Sequence, residues 1–469
     1  MSLIDLSVVI PCYNEAPILA ESLRELIAVL RGTRLAYELI LVDDASRDGT
    51  VQLIEYCRQR YADVPIQVIR HATNMGRGRT VTDGWRASRG RIVGYLDIDL
   101  EVHARYVPAM VDAIDRQGAD GAVAWRIYKV MWSILFRALC SKGYHCLVRW
   151  MLRLPFKDTE AGFKFFRREA VLPLLETVRD PGWFWDTELM ARAWFQGLRI
   201  KEIPCLFLHR QDKRSSVRVR QDSWHYLVAL VRFKRQWLRC PSQTSLLYRI
   251  PWLYHWAMRF LHVGRERRRF KAIATHIPPG MSVMDVCSGD CALYRYCLRG
   301  KAADHLGIDL NPRLLYRGGR AGSRVRLMDV RQGDLPRAEV VVMQASLHQF
   351  IPDHHAMIQK LLRAARHRVI IVEPVNNWAT SPQQWRRRLS NWLVNPGTGP
   401  APHRFSRSEL QELFRQYGAT EVKETVTGRE LIGIFRGPFI TSRACVVSDR
   451  QPEPRSDNNG VSAGNDTSV

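Results

Sequence analysis

Three carboxylates stand on alternate residues at the end of an apolar run: Asp97, Asp99 and Glu101 in Gly94-Tyr-Leu-Asp-Ile-Asp-Leu-Glu101. If the run continues as a strand, its period of two puts all three on one face. Like charges that close repel unless a cation stands between them, and a hard divalent ion with oxygen ligands answers that need. Such an ion shares its shell readily with phosphate oxygens. A second stretch, Asn74-Met-Gly76-Arg77-Gly78-Arg79, has what a diphosphate would require: two glycines that admit close approach and two guanidinium groups. A solvated surface turn is the plainer reading of the same residues. Acidic residues at strand ends also cap the turn that follows, and that reading suits Asp48.

The elements that must position these groups alternate regularly. Ser7 to Ile10 reads as a strand halted by Pro11, Ile18 to Leu30 as a helix, and Leu39 to Val42 as a strand running into Asp43 and Asp44. A helix over Val51 to Arg60 and a strand over Ile66 to His71 follow. Such alternation predicts an α/β unit with a mostly parallel sheet and ligands gathered at the carboxyl ends of its strands. Pro11, Asp43, Asp44, Arg70, Asp97 and Asp99 all fall at such ends.

Residues Leu6 to about Phe233 resemble a family 2 glycosyltransferase of the GT-A fold, in the branch that moves sugar onto polyprenyl or dolichyl phosphate. VVIPCYNE, LVDDASRDGT, NMGRGRTVTDGWRASRG, YLDIDLE, DTEAGFKFFRRE, WFWDTELMARAWFQGLRIKEIP and HRQDKRSSVRV carry the resemblance, in that order. It implies that Pro11, Tyr13, Glu15, Asp43, Asp44, Asn74, Gly76, Arg77 and Arg210 line the nucleotide-sugar pocket, Asp44 being the better candidate for the base. It implies that Asp97 and Asp99 hold Mg²⁺ or Mn²⁺ against the donor diphosphate, with Glu101 as a third ligand where the branch often has glutamine. Asp158 opens an acceptor-side loop in which Glu160 and Ala161 replace the more usual glutamine and cysteine. Asp186 and Glu188 complete the catalytic candidates: a hydroxyl acceptor needs one carboxylate as general base, whereas a phosphate acceptor is already anionic. Either of the two could instead be a buried partner for Arg192 or Arg199.

The 469-residue length calls for roughly two to three domains. A net charge of +24 and a pI near 10.0 call for an anionic partner: phosphorylated substrate, membrane surface or nucleic acid. Val130 to Asp158 is rich in Trp, Phe, Leu and Arg, and Lys142, His145, Arg149 and Arg153 recur at helical spacing. Arg210 to Arg239 holds nine Lys or Arg against two Asp. Both segments suit in-plane helices at an anionic headgroup layer, although an amphipathic helix packed on its own domain gives the same pattern. Nucleic acid ranks lower, because no recognised binding motif accompanies the charge. No uncharged apolar run is long enough to span a membrane and no cleavable leader opens the chain, so the expectation is a cytoplasmic protein, peripheral on the cytoplasmic face of a membrane.

After a basic amphipathic linker (236–267) the alternation restarts, with strand signals in MSVMDV, HLGIDL, RVRLMDV, AEVVVMQ and HRVIIVEPV. This Rossmann-like half (268–440) resembles a class I S-adenosylmethionine-dependent methyltransferase, and 441–469 reads as a disordered tail. The resemblance implies that Asp285, Gly289, Asp309, Asp329 and Val330 surround S-adenosylmethionine; Asp309 lies 20 residues after Gly289, the distance suited to a ribose contact. Cys287 and Cys291 occupy the two outer glycine positions of its motif, where a Cβ at the second could crowd cofactor or sheet. His348 could act as a base or shape the methyl-acceptor pocket. The resulting expectation is a metal-dependent inverting glycosyltransferase (1–235) fused to a methyltransferase. The alternative is a soluble glycosyltransferase with a hydroxyl acceptor and a non-catalytic, methyltransferase-like binding module.

Overall fold

The computed structural model describes residues 4–128, 147–208 apart from 149 and 153, 219–261 apart from 238 and 241–243, 266–375, 383–384, 395, 397, 399, 403–425 and 428–437. Arg210, the stripe of Lys142, His145, Arg149 and Arg153, and the tail lie outside these residues.

The apolar runs of the N-terminal half form a seven-stranded sheet from β1 (Leu6–Cys12), β2 (Tyr37–Asp43), β3 (Ile66–Arg70), β4 (Ile92–Leu96), β5 (Gly121–Tyr128), β6 (Phe163–Arg167) and β7 (Ile200–Phe207) in the order β3-β2-β1-β4-β6-β5-β7. Strand alternation feeds a separate core on each face. Val8 and Ile10 join the helices 19–31 and 107–115 on one side, while Val9 joins the helices 77–87 and 185–195 on the other. Strands covered on both faces read as continuous apolar runs, which is why β1, β2 and β4 are legible.

The first unit departs from the sequence expectation at two points. Pro11 does not halt β1, which runs on to Cys12: pairing with β4 covers only Leu6 to Val9, so the missing N–H falls where that ladder has ended. The sheet is mostly parallel, as expected, with β6 alone running antiparallel between β4 and β5. The run through Asp97, Asp99 and Glu101 is not strand. β4 ends at Leu96, a turn closes from Leu100 N–H to Asp97 O at 3.1 Å, and Leu100 takes a φ of 53°. The three carboxylates therefore ride on a turn, with Ile98 and Leu100 buried between them.

The second sheet contains β8 (Ser282–Val286), β9 (Asp304–Asp309), β10 (Arg324–Leu327), β11 (Ala338–Gln344), β12 (Ala365–Pro374), β13 (Glu421–Glu424) and β14 (Glu430–Arg436), in the order β10-β9-β8-β11-β12-β14-β13. Five parallel strands match the five signals in the sequence; β13 and β14 add an antiparallel edge. Strand order reverses between β8 and β11 here and between β1 and β4 in the first sheet, and open α/β sheets bind ligands at such reversals. The connecting segment contains helices Leu246–Arg249 and Pro251–Leu261, tied to the second unit where Asn311 Nδ2 donates to Tyr248 O at 2.8 Å.

Candidate functional site

At the carboxyl edge of the first sheet, Arg77 at the start of its helix turns inward. Its guanidinium grips Asp97 through Nη2, 2.9 Å from each carboxylate oxygen, and pairs through Nη1 with Asp186. Asp186 in turn receives Lys164 Nζ at 2.6 Å and the Tyr95 hydroxyl. Lys164 is 0% exposed and the Asp97 side chain 36%, so a chain of alternating charges, Asp97–Arg77–Asp186–Lys164, runs from the surface into the buried interior. Burial pushes the Asp186 carboxyl up, but the Lys164 and Arg77 charges more than reverse this and leave it below its ordinary value. Burial also raises Asp97; Arg77 opposes the shift and the neighbouring Asp99 charge adds to it. Only glycine fits opposite. A Cβ on Gly162 would lie 1.7 Å from Asp97 Oδ2.

Two adjacent carboxylates at a strand end, one raised by the other's charge, suit a hard divalent ion. Asp99 is the better ligand of the pair, because Arg77 already engages both oxygens of Asp97. Glu101 N–H lies 3.3 Å from Asp99 Oδ1, and Glu101 O accepts from Leu208 N–H beyond β7. Among the described residues no three His, Cys, Asp or Glu side chains converge to hold a metal.

On the nucleotide side, Asp44 is spent on protein contacts. Its carboxylate accepts Met75 N–H at 2.7 Å, Gly76 N–H at 2.9 Å and His71 Nδ1 at 2.8 Å, pinning the 71–76 loop. The spare capacity belongs to Asp43, whose Oδ1 is buried without a protein partner. Asp43, not Asp44, therefore has the free acceptor oxygen of the two. Tyr13 and Asn74 are exposed nearby in sequence, and the Glu15 backbone N–H is tied to Thr50 Oγ1 at 2.8 Å. The glycines serve packing: at a φ of 90°, Gly76 would put a Cβ 2.7 Å from Pro181 O, and Gly78 would put one 2.4 Å from Trp185 Cβ. Arg79 turns away to Asp83.

Asp158 is likewise saturated, accepting Arg126 Nε at 2.6 Å, Arg126 Nη2 at 3.0 Å and the N–H groups of Glu160 and Ala161. It shapes the loop that carries Glu160. Burial pushes the Glu160 carboxyl up to about 7, opposed by Arg126 at 3.8 Å. Glu188 stands apart from the charge chain: Oε1 holds Arg192 at 2.6 and 2.8 Å, and Oε2 receives the N–H groups of Arg179 and Asp180. Its carboxylate is therefore engaged in the buried partnership with Arg192.

At the second sheet, Asp309 accepts Gly289 N–H on one oxygen and Asn311 N–H on the other, both at 2.8 Å, leaving lone pairs on each. Asp285 meets Gln344 Nε2 at 3.2 Å, and burial raises it to about 7. The Cys291 side chain is accommodated by two glycines, since a Cβ on Gly307 or Gly318 would come 2.4 or 2.6 Å from its Sγ. That removes the expected crowding. Asp309 thus keeps acceptor capacity at the strand reversal of the second sheet, the capacity that a ribose hydroxyl would need. Asp329 holds Arg331 at 3.2 Å, and Val330 is buried in the core beside it.

Comparison with known proteins finds likenesses confined to the first half. Residues 7–171 match the model of glycosyl transferase family 2. Glycosyltransferase AglD of Haloferax volcanii is 32% identical over 205 residues, 43% of this chain and 32% of that protein. Human dolichyl-phosphate beta-glucosyltransferase is 32% identical over 213 residues, 42% of this chain and 65% of that protein. The chain thus spans about a third of the first relative and less than two thirds of the second. Among solved structures, mannosyltransferase PcManGT of Pyrobaculum calidifontis is 17% identical with a TM-score of 0.34, covering 55% of this chain and 65% of its own, and no conclusion rests on it.

Within the first unit, sequence reasoning missed Tyr95, Arg126 and the role of Lys164. Tyr95 is hidden in the apolar run of β4, and Arg126 sits on β5 with no neighbour in the chain to mark it. Lys164 alone carried a signal, a charge inside the strand Phe163–Arg167, where burial demands a partner.

Proposed function

We propose that the first domain transfers a sugar from a nucleotide diphosphate donor to a polyprenyl- or dolichyl-type phosphate with inversion at the anomeric carbon, using Mg²⁺ or Mn²⁺. The observation that carries this reading is the charge chain Asp97–Arg77–Asp186–Lys164 beside Asp99 at the strand reversal. Asp99, with Asp97 behind it, would hold the ion, which when bound neutralises the leaving diphosphate. Asp43 is the acceptor for the base. Asp186 and Glu188 are both committed to cations, which supports an acceptor that needs no general base. The relatives named for dolichyl phosphate support the same acceptor class.

The second unit is proposed as an S-adenosylmethionine-dependent methyltransferase, on the pairing of Asp309 with the Gly289 turn at the second strand reversal. An anionic membrane surface is the proposed platform. Trp150, Trp224, Trp252 and Trp256 are each more than 60% exposed in segments rich in Arg and Lys, and no described helix is long and apolar enough to cross a membrane.

The test is nucleoside diphosphate release from a panel of UDP- and GDP-sugars with Mg²⁺ or Mn²⁺, with and without a short polyprenyl phosphate. Release is expected to require lipid and ion and to fall about 10²–10³-fold in Asp99→Asn. Equal release without lipid would sink the acceptor assignment.

A further inference from the structure

His348 and Glu373 form a buried pair at the carboxyl edge of the second sheet, 5% and 0% exposed. Glu373, on β12, accepts Leu347 N–H at 3.0 Å and His348 N–H at 3.4 Å, and it meets His348 Nδ1 in a short contact. A carboxylate facing Nδ1 holds the ring proton there and leaves a lone pair on Nε2. That Nε2 is buried with no protein partner. Buried polar atoms are nearly always bonded, so an orphan aimed away from its own carboxylate calls for a ligand.

The surroundings say which ligand. Ser346, two residues before His348, lies near enough to the Cys287 thiol to lower its pKa, and Gln344 reaches Asp285; Cys287 and Asp285 belong to the segment that leads into the Gly289 turn. The pair therefore adjoins the edge where Asp309 and Gly289 lie.

We infer that His348, backed by Glu373, takes the proton from a hydroxyl that is methylated at this edge; the inference rests on the methyltransferase reading. An acceptor already anionic near neutral pH would need no base, whereas a hydroxyl does. In the step, an oxygen lone pair forms the new C–O bond as the methyl carbon leaves sulfur. The C–S pair returns to sulfur, converting sulfonium to thioether, and the hydroxyl proton passes to Nε2. Glu373 balances the imidazolium so formed.

The test uses the full chain labelled with ¹⁵N-histidine, with His348→Asn to assign the resonance, and calorimetry with S-adenosylmethionine and S-adenosylhomocysteine. The expected ring carries its proton on Nδ1, against Glu373, and is bare on Nε2. Its Nε2 line should move on saturation with S-adenosylmethionine, and less with the uncharged thioether. A merely structural histidine would not respond. His348→Asn should keep donor affinity within about threefold, since it removes the base and not the donor contacts. A protonated Nε2, or a line that stays put while calorimetry records binding, overturns the inference and leaves the methyltransferase reading standing. Absence of donor binding overturns the reading itself. Glu373→Gln should transfer the ring proton to Nε2; if that variant does not fold, the wild-type spectrum still decides.

Discussion

At the scale of single residues, the first site is governed by what each carboxylate already holds. Glu160 is the one whose charge state changes near neutrality, because burial pushes it up to about 7 against an ordinary 4.5. It is neutral below that pH and anionic above it. Beside an anionic acceptor the added charge repels, so lipid-dependent turnover should fall as pH rises through about 7, and Glu160→Gln should remove that limb of the profile. A limb that survives the substitution belongs to another group. The same raised value makes the folded state bind the proton more tightly, so its contribution to stability is present below 4.5 and lost as pH rises to about 7. Gly162 makes a steric prediction. A Cβ there would meet Asp97 Oδ2, so Gly162→Ala should displace the carboxylate and cost about 100-fold in kcat/KM, which steady-state kinetics would read.

At the scale of elements, the helix Trp185–Phe195 joins two jobs. Its first turn supplies Asp186 to the charge chain, and in the same turn Glu188 clamps the preceding loop through the N–H groups of Arg179 and Asp180. Both are buried, which explains why sequence pattern treats them alike. Their substitutions should separate. Glu188→Gln should cost about 1–3 kcal/mol in denaturant unfolding while leaving kcat within a few fold. Asp186→Asn should abolish turnover, because Lys164 and Arg77 would then share no anion between them. A Glu188 variant that folds fully and does not turn over would restore the base.

Over the whole molecule, the two sheets are joined through the end of that helix. Arg324 Nη1 donates to Gly197 O at 2.7 Å, Gln196 bridges to Arg326, and Tyr316 donates to Met151 O at 2.7 Å. Gly197 has a φ of 78° and a Cβ position 2.9 Å from Leu306 Cδ1, so Gly197→Val should destabilise by about 1–3 kcal/mol and loosen the joint, measurable as separate unfolding of the two units. A single unchanged transition would refute the joint's importance. The charge of +24 predicts binding to phosphatidylserine vesicles that weakens steeply between 0.1 and 0.5 M salt, with little binding to neutral vesicles. Salt-insensitive binding would point instead to the exposed tryptophans.

The sequence by itself determined the order of the elements, the presence of two α/β units and the acids at the strand ends. Those are local properties: continuous apolar runs mark strands covered on both faces, and charges just after them fall at one edge of a sheet. Tertiary structure alone decided which charges meet. Arg77 and Asp186 are 109 residues apart, His348 and Glu373 are 25 apart, and no periodicity links either pair. Asp43 and Asp44 are neighbours with equal claims in sequence, yet the 71–76 loop saturates one and leaves the other an unpartnered oxygen. The turn at Asp97 to Leu100 was equally illegible, since alternation of buried and polar residues persists whether the backbone continues as strand or folds back. Partner choice depends on distance in space, and spacing along the chain carries no record of it.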